Sequence, residues 1–132
     1  GGGVVASKDI IFYTLTSPDS DKAFLFGHMP ETITVGGVTF KRPPLKAESN
    51  SYGQYLVNGE AWATDVYTTA AKYCTLPTTA ELVSLVKSGE MAKNGWPKPT
   101  YPAFVSSTGY AVNVNTATSS FDSGLVGYLC KQ

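Results

Sequence analysis

Few side chains in this sequence are of the kind that do covalent or metal chemistry. There are two cysteines, Cys74 and Cys130, and one histidine, His28. A structural zinc site draws on about four nitrogen or sulfur ligands, and these three residues do not supply them. His28 lies between Gly27 and Met29 with no conspicuous acidic partner nearby, so it reads as a surface or capping histidine. Ser106-Ser107-Thr108 offers hydroxyls, yet no Gly-x-Ser-x-Gly elbow surrounds them, and any Ser–His pair would have to recruit His28. Glu60 with Asp65, or Glu81 with Glu90, have the right groups for acid–base work on a glycoside if the fold spaces them suitably. Asp19 and Asp21 form an Asp-x-Asp pair, but calcium wants about six to eight oxygens and no glycine-punctuated acidic loop follows. Cys74 falls on an apolar stripe, which disfavours a reactive thiol. The expectation is a protein without catalysis, metal or cofactor.

Binding has better material. Lys93, Asn94, Trp96, Lys98 and Tyr101 fall in a stretch stiffened by Pro97, Pro99 and Pro102. Aromatic residues in rigid loops lose little entropy on docking and often anchor interfaces. Trp96, between Gly95 and Pro97, is expected to pack inward and fix the loop, which moves the contact role toward Lys93, Lys98 and Tyr101. Tyr52 and Tyr55 form a second candidate patch.

The bulk properties exclude other partners. At 132 residues the chain is one domain by size. Net charge is zero, and no basic run is longer than Lys41-Arg42, so the positive face needed to release counterions from nucleic acid is missing. No apolar run approaches a membrane span, and no signal peptide opens the chain. Gly1-Gly2-Gly3 reads as a linker remnant, leaving residues 4–132 as the domain. The cysteines are either a disulfide or two buried thiols. The disulfide is the favoured reading and places the chain in an oxidising compartment. Its loop of roughly 57 residues would remove about 4 kcal/mol of unfolded-state entropy.

The elements that position these residues have their own signals. Asp9 to Leu15 is an apolar run of strand length, ended by the turn residues Ser17 to Asp21, with a short strand possible at Ala23 to Phe26. Thr32 to Val35 and Val38 to Lys41 alternate about Gly36-Gly37, which predicts a hairpin pairing Val35 with Val38 and Ile33 with Phe40. Lys46 to Gly59 reads as an irregular connection. From about Ala61 to Cys74 the stripe Val66, Ala70, Tyr73, Cys74 predicts a helix. A second helix opens on the capping box Thr78-x-x-Glu81, buries Leu82, Leu85 and Val86, and stops at Ser88-Gly89. The prolines then rule out a helix or central strand, so Glu90 to Pro102 reads as a loop. Phe104 to Ser107, Tyr110 to Asn115 and Leu125 to Cys130 read as strands, with a polar loop over Asn115 to Gly124. Strands, two helices, then strands indicate an α+β fold.

Several short matches then fall in order. Tyr73-Cys74 closes a helix, and Leu76-Pro77-Thr78 with Glu81-Leu82 opens the next. Gly95-Trp96-Pro97, Tyr101-Pro102, Ser106-Ser107 and Val112-Asn113-Val114 follow, and Cys130 stands in the final strand. Together, residues 61–130 resemble the C-type-lectin-like domain that ends bacterial adhesins of the intimin and invasin family; the first 59 residues carry no such match. The resemblance implies a Cys74–Cys130 disulfide and two helices packed on a twisted antiparallel sheet. It also implies a place at the tip of a rod of immunoglobulin-like domains, extracellular and anchored in the outer membrane by an N-terminal β-barrel. The tip would grip a receptor on a host or neighbouring cell, a protein more readily than a glycan, with no insertion of this domain into membrane. The sugar- and calcium-binding motifs of animal lectins, Glu-Pro-Asn or Gln-Pro-Asp and Trp-Asn-Asp, do not occur. A calcium-independent carbohydrate-binding module and a passive structural cap are the alternative readings.

Overall fold

The computed structural model describes residues 4–7, 10–13 and 29–132. Expectations for Gly1–Gly3, the Asp19 and Asp21 pair, the 23–26 strand and His28 lie outside the described residues. Strands β1 (Val4–Ser7) and β2 (Ile10–Tyr13) pair antiparallel. The buried Ile10 and Phe12 sit two apart on β2, as the pleat requires.

Strands β3 (Thr32–Val35) and β4 (Val38–Lys41) form the expected hairpin with the expected register. Gly36 and Gly37 both take positive φ (59° and 79°), the requirement of a primed two-residue turn. Ile33 and Phe40 are buried, while Val35 and Val38 are half-buried against the same core.

The next segment departs from the sequence reading twice. Residues 46–59 are not simply irregular: a 3-10 turn at Lys46–Glu48 is followed by β5 (Gly53–Val57). Residues 60–65 are not helical but form β6 (Glu60–Asp65), which pairs with β5 across Asn58-Gly59. Asn58 (φ 51°) and Gly59 (φ 81°) make this second tight turn. The strand was illegible because Trp62, Ala63, Thr64 and Asp65 are all buried, and a strand covered on both faces has no polar alternation. Helix α1 (Tyr67–Tyr73) starts only after Asp65, and of the predicted stripe Ala70 and Cys74 are fully buried.

Helix α2 (Thr79–Ser88) has the predicted cap. The Glu81 amide donates to Thr78 Oγ1 at 3.2 Å, and the Thr78 amide donates to Glu81 Oε1 at 2.8 Å. Gly89, left-handed at φ 73°, ends it. A short third helix, α3 (Glu90–Lys93), occupies the start of the predicted loop, ahead of its first proline.

Strands β7 (Ala103–Val105), β8 (Tyr110–Asn113), β9 (Ser119–Phe121) and β10 (Val126–Gly127) complete the chain. β9 lies inside the expected polar loop; all three of its residues are exposed, so burial left no pattern to read. The six-stranded sheet has the order β5-β6-β10-β7-β8-β9. It is mixed rather than purely antiparallel, since β10 pairs parallel with β7 and antiparallel with β6.

Both faces of this sheet are covered. One core cluster joins Trp62, Phe104, Val112 and Leu129 to Leu82 and Leu85 of α2, Met91 of α3 and the β3–β4 hairpin. Another joins Ala63, Ala103, Val105, Ala111 and Tyr128 to Ile10, Phe12 and Ala70 of α1. Residues adjacent in sequence fall in different clusters, the period of two written in three dimensions. Cys74 and Cys130 are bonded, fully buried, with Cα atoms 5.8 Å apart. The tail beyond them holds the β3–β4 hairpin, since the Lys41 amide donates to Cys130 O at 2.7 Å and the Gln132 amide to Thr39 O at 2.9 Å.

A buried ion pair, absent from the sequence reading, closes the segment after β4. Arg42 and Glu48 are 2% and 4% exposed. The guanidinium donates to both carboxylate oxygens, Nη1 to Oε1 at 2.8 Å and Nη2 to Oε2 at 2.6 Å. The Leu45 amide also donates to Oε1 at 2.7 Å, and the guanidinium lies 5.1 Å from the centre of the Phe12 ring.

Candidate functional site

The Lys93–Tyr101 stretch is built outward from a pinned tryptophan. Gly89 turns the chain from α2 into α3, and the Asn94 side chain closes that turn by donating to Glu90 O at 2.8 Å and Glu90 Oε2 at 3.1 Å. The Trp96 amide donates to Met91 O at 3.0 Å, and its indole Nε1–H reaches Pro30 O at 2.9 Å. Trp96 is 5% exposed, packed inward as expected. Pro97 and Pro99 are buried too, and the Val114 amide donates to Pro102 O at 2.8 Å, which ties the loop's far end to the sheet. Polar side chains therefore stand on a backbone with little freedom to move.

The predicted residues separate on this frame. Lys98 is exposed and donates to Asn115 Oδ1 at 3.0 Å. Lys93 is exposed, with Glu90 only loosely opposite at 3.9 Å. Tyr101 is 51% exposed, and Asn94 is half-buried with its amide spent on Glu90. Trp96 and Lys98 meet in a cleft of about 260 Å³, whose walls also include Met91, Phe104, Val114 and Asn115. Lys93, Asn94 and Tyr101 do not line it. Asn115 and Val114 come from the loop after β8, and no sequence signal tied that loop to Trp96; the pairing of β7 with β8 brings them together.

The second patch divides. Tyr52 is 81% exposed, whereas Tyr55 is 5% exposed, facing inward on β5. Burial pushes the Tyr55 phenol far above its ordinary range.

The residues weighed for catalysis are dispersed or engaged. Glu60 and Asp65 begin and end β6, five positions apart, so they face opposite sides at roughly 16 Å. The Asp65 carboxylate accepts the Val66 amide at 2.8 Å and the Tyr52 amide at 3.1 Å. Glu81 lies in the first turn of α2, whereas Glu90 opens α3 beyond the left-handed Gly89, and the Glu90 carboxylate accepts from Asn94 Nδ2 at 3.1 Å. Glu81 also accepts from Lys131 Nζ at 2.8 and 3.0 Å. That ammonium, then the cap bonds, lowers its carboxyl pKa. Ser106 is fully buried, its hydroxyl shared with Thr79 and Thr108 at 2.9 and 3.0 Å. Among the described residues, no group of three or more His, Cys, Asp or Glu is placed to hold a metal, and no helix is long and apolar enough to cross a membrane.

The adhesion-domain family of the InvE type matches residues 18–129. The chain belongs to that family. The match reaches well into the first half, where the sequence reading quoted no motif. The chain is also similar to the solved structure of the Yersinia pseudotuberculosis adhesin InvE, with 33% identity and a TM-score of 0.71 over 92% of this chain. It spans 39% of that adhesin's length. No curated protein sequence matches it. The α+β fold with its single disulfide, and the expected kinship with the intimin and invasin adhesins, agree with this membership. The chain is therefore an adhesion domain, and its family points to binding rather than catalysis.

Proposed function

We propose that this domain is the receptor-binding tip of a longer, outer-membrane-anchored adhesin, and that it grips a protein on a host or neighbouring cell. Its contact surface is the α3–β7 stretch, with Lys93, Lys98 and Tyr101 reaching the receptor and Trp96 and Asn94 holding the loop in shape. The observation that carries this reading is the division of labour around Trp96: indole, Pro97 and Pro99 are buried while both lysines and Tyr101 project into water. A stiff loop presenting cations and an aromatic ring loses little conformational entropy on docking.

The test is attachment of beads carrying the domain to receptor-bearing cells. Attachment should survive glycosidase treatment of the cells and disappear after protease treatment. A Lys93→Ala/Lys98→Ala/Tyr101→Ala variant should fold normally and bind at least about tenfold more weakly, a loss of ~1.4 kcal/mol. Unchanged attachment by that variant would place the receptor elsewhere on the domain or the parent protein.

A further inference from the structure

A second hollow, of about 570 Å³, opens between the start of β5, helix α1 and the turn before β10. Its walls include Asn50, Tyr52, Asp65, Thr69, Tyr73 and Leu125. Three features distinguish it from the bare apolar surface around it. Tyr52 stands at its mouth 81% exposed, a flat ring with one polar tip. Its backbone is fixed, because the Tyr52 amide donates to Asp65 Oδ2 at 3.1 Å. Polar groups with spare hydrogen-bonding capacity converge beside that ring. Asp65 lies beneath them, 3% exposed, with each oxygen accepting one backbone N–H, and it gives the floor of the hollow a negative charge. The side-chain amide of Asn50 is exposed and makes no hydrogen bond among the described residues, its backbone carbonyl alone accepting from Tyr73 Oη at 3.1 Å. Thr69, half-buried, adds a hydroxyl.

An exposed aromatic face flanked by an amide and a hydroxyl, over a buried carboxylate, is the complement of a pyranose ring. The sugar's C–H face lies on the aromatic ring, while its hydroxyls exchange hydrogen bonds with groups that both donate and accept. We infer that this hollow is a calcium-independent subsite for a neutral sugar, separate from the Lys93–Tyr101 surface. Charge selects within the glycans: the one charged group in the lining is the Asp65 carboxylate, and no Lys or Arg lines the hollow to offset it. A sialylated or sulfated sugar would set anion against anion in a partly desolvated site. The attachment surface would thus read two chemistries, a protein surface on the α3–β7 loop and a neutral glycan beside α1.

The test uses the whole domain on an array of neutral and sialylated glycans in the presence of chelator, followed by amide-shift titration with the best neutral binder and its sialylated counterpart. The expected result is saturable binding of a neutral glycan with a dissociation constant on the order of 1 mM. The shifts should centre on Asn50, Tyr52, Thr69 and Leu125, and the sialylated form should bind at least about tenfold more weakly. Tyr52→Ala, a change at an exposed position, should weaken binding at least about tenfold at an unchanged unfolding midpoint, while Lys98→Ala should leave it intact. Absence of any neutral glycan binder would overturn the assignment. So would shifts that persist in Tyr52→Ala, or a Tyr52→Ala attachment defect that is equally large on glycosidase-treated cells, which would make the hollow a protein contact.

Discussion

Glu48→Gln keeps the volume of the side chain and removes only its charge, which isolates the Arg42–Glu48 pair. In the native fold the guanidinium is 2% exposed, and both carboxylate oxygens meet its nitrogens at 2.6–2.8 Å. Substitution puts an amide N–H₂ where an acceptor was. If the amide oxygen keeps the bonds from Arg42 Nη1 and the Leu45 amide, the N–H₂ faces Nη2, donor against donor. A buried cation then has lost its counter-charge, a change that costs about 3–5 kcal/mol when one partner of a buried pair is removed. For a chain of 132 residues the entropy of unfolding makes that roughly 10–20 °C in midpoint temperature. Replacing both partners by Arg42→Met with Glu48→Leu should cost less than Glu48→Gln alone, because no unpaired charge remains. The residual loss, ~1–3 kcal/mol, includes the desolvated Leu45 amide left without its acceptor and the Pro43 carbonyl left without Arg42 Nη1. Urea unfolding of the wild type, Glu48→Gln and the double variant, followed by circular dichroism, reads all three values. A loss below about 1 kcal/mol for Glu48→Gln, or a double variant less stable than Glu48→Gln, would refute the reasoning.

Cys74→Ala with Cys130→Ala should lower stability by about 4 kcal/mol, read as a shift in urea midpoint against the oxidised wild type; a shift under 1 kcal/mol would mean the loop is already restricted in the unfolded chain. Glu81 has its carboxyl pKa lowered chiefly by the hydrogen bond from Lys131. The folded state therefore binds fewer protons than the unfolded state, so this stabilisation is present above about pH 4.5 and is lost as pH falls through the lower folded value. Glu81→Gln should flatten the stability-versus-pH curve on that acid limb, and an unchanged slope would show the pair to be idle. Tyr55 Oη is buried with no hydrogen-bond partner among the described residues. Tyr55→Phe should leave the unfolding midpoint unchanged or raise it by up to about 1 kcal/mol equivalent, and a clear loss would reveal a partner for the hydroxyl.

The features legible in the sequence share one property: their causes lie within a few residues. Gly36-Gly37 needs only its own φ angles to turn the chain, and Thr78 with Glu81 closes a cap three positions long. The buried Trp96 was legible in the same way, from the glycine and proline beside it. The pairing of Cys74 with Cys130 was favoured by composition and implied by family likeness, and the fold places the two side by side at the sheet.

Other features were decided only when distant segments met. Ala61 to Asp65 carries no strand signal of its own; it is a strand because β5 and β10 flank it and both faces are covered, which erases the alternation a reader would seek. Tyr52 and Tyr55 differ little as letters, yet the pleat and its neighbours bury the inward ring while the other stands in water at the edge of a hollow. Arg42 and Glu48 resemble two surface charges until Phe12 and the 3-10 turn close over them. Burial is a property of what arrives from elsewhere in the chain, so local composition determined the turns and caps of this adhesion domain, and tertiary contact decided which of its polar and aromatic side chains are available to bind.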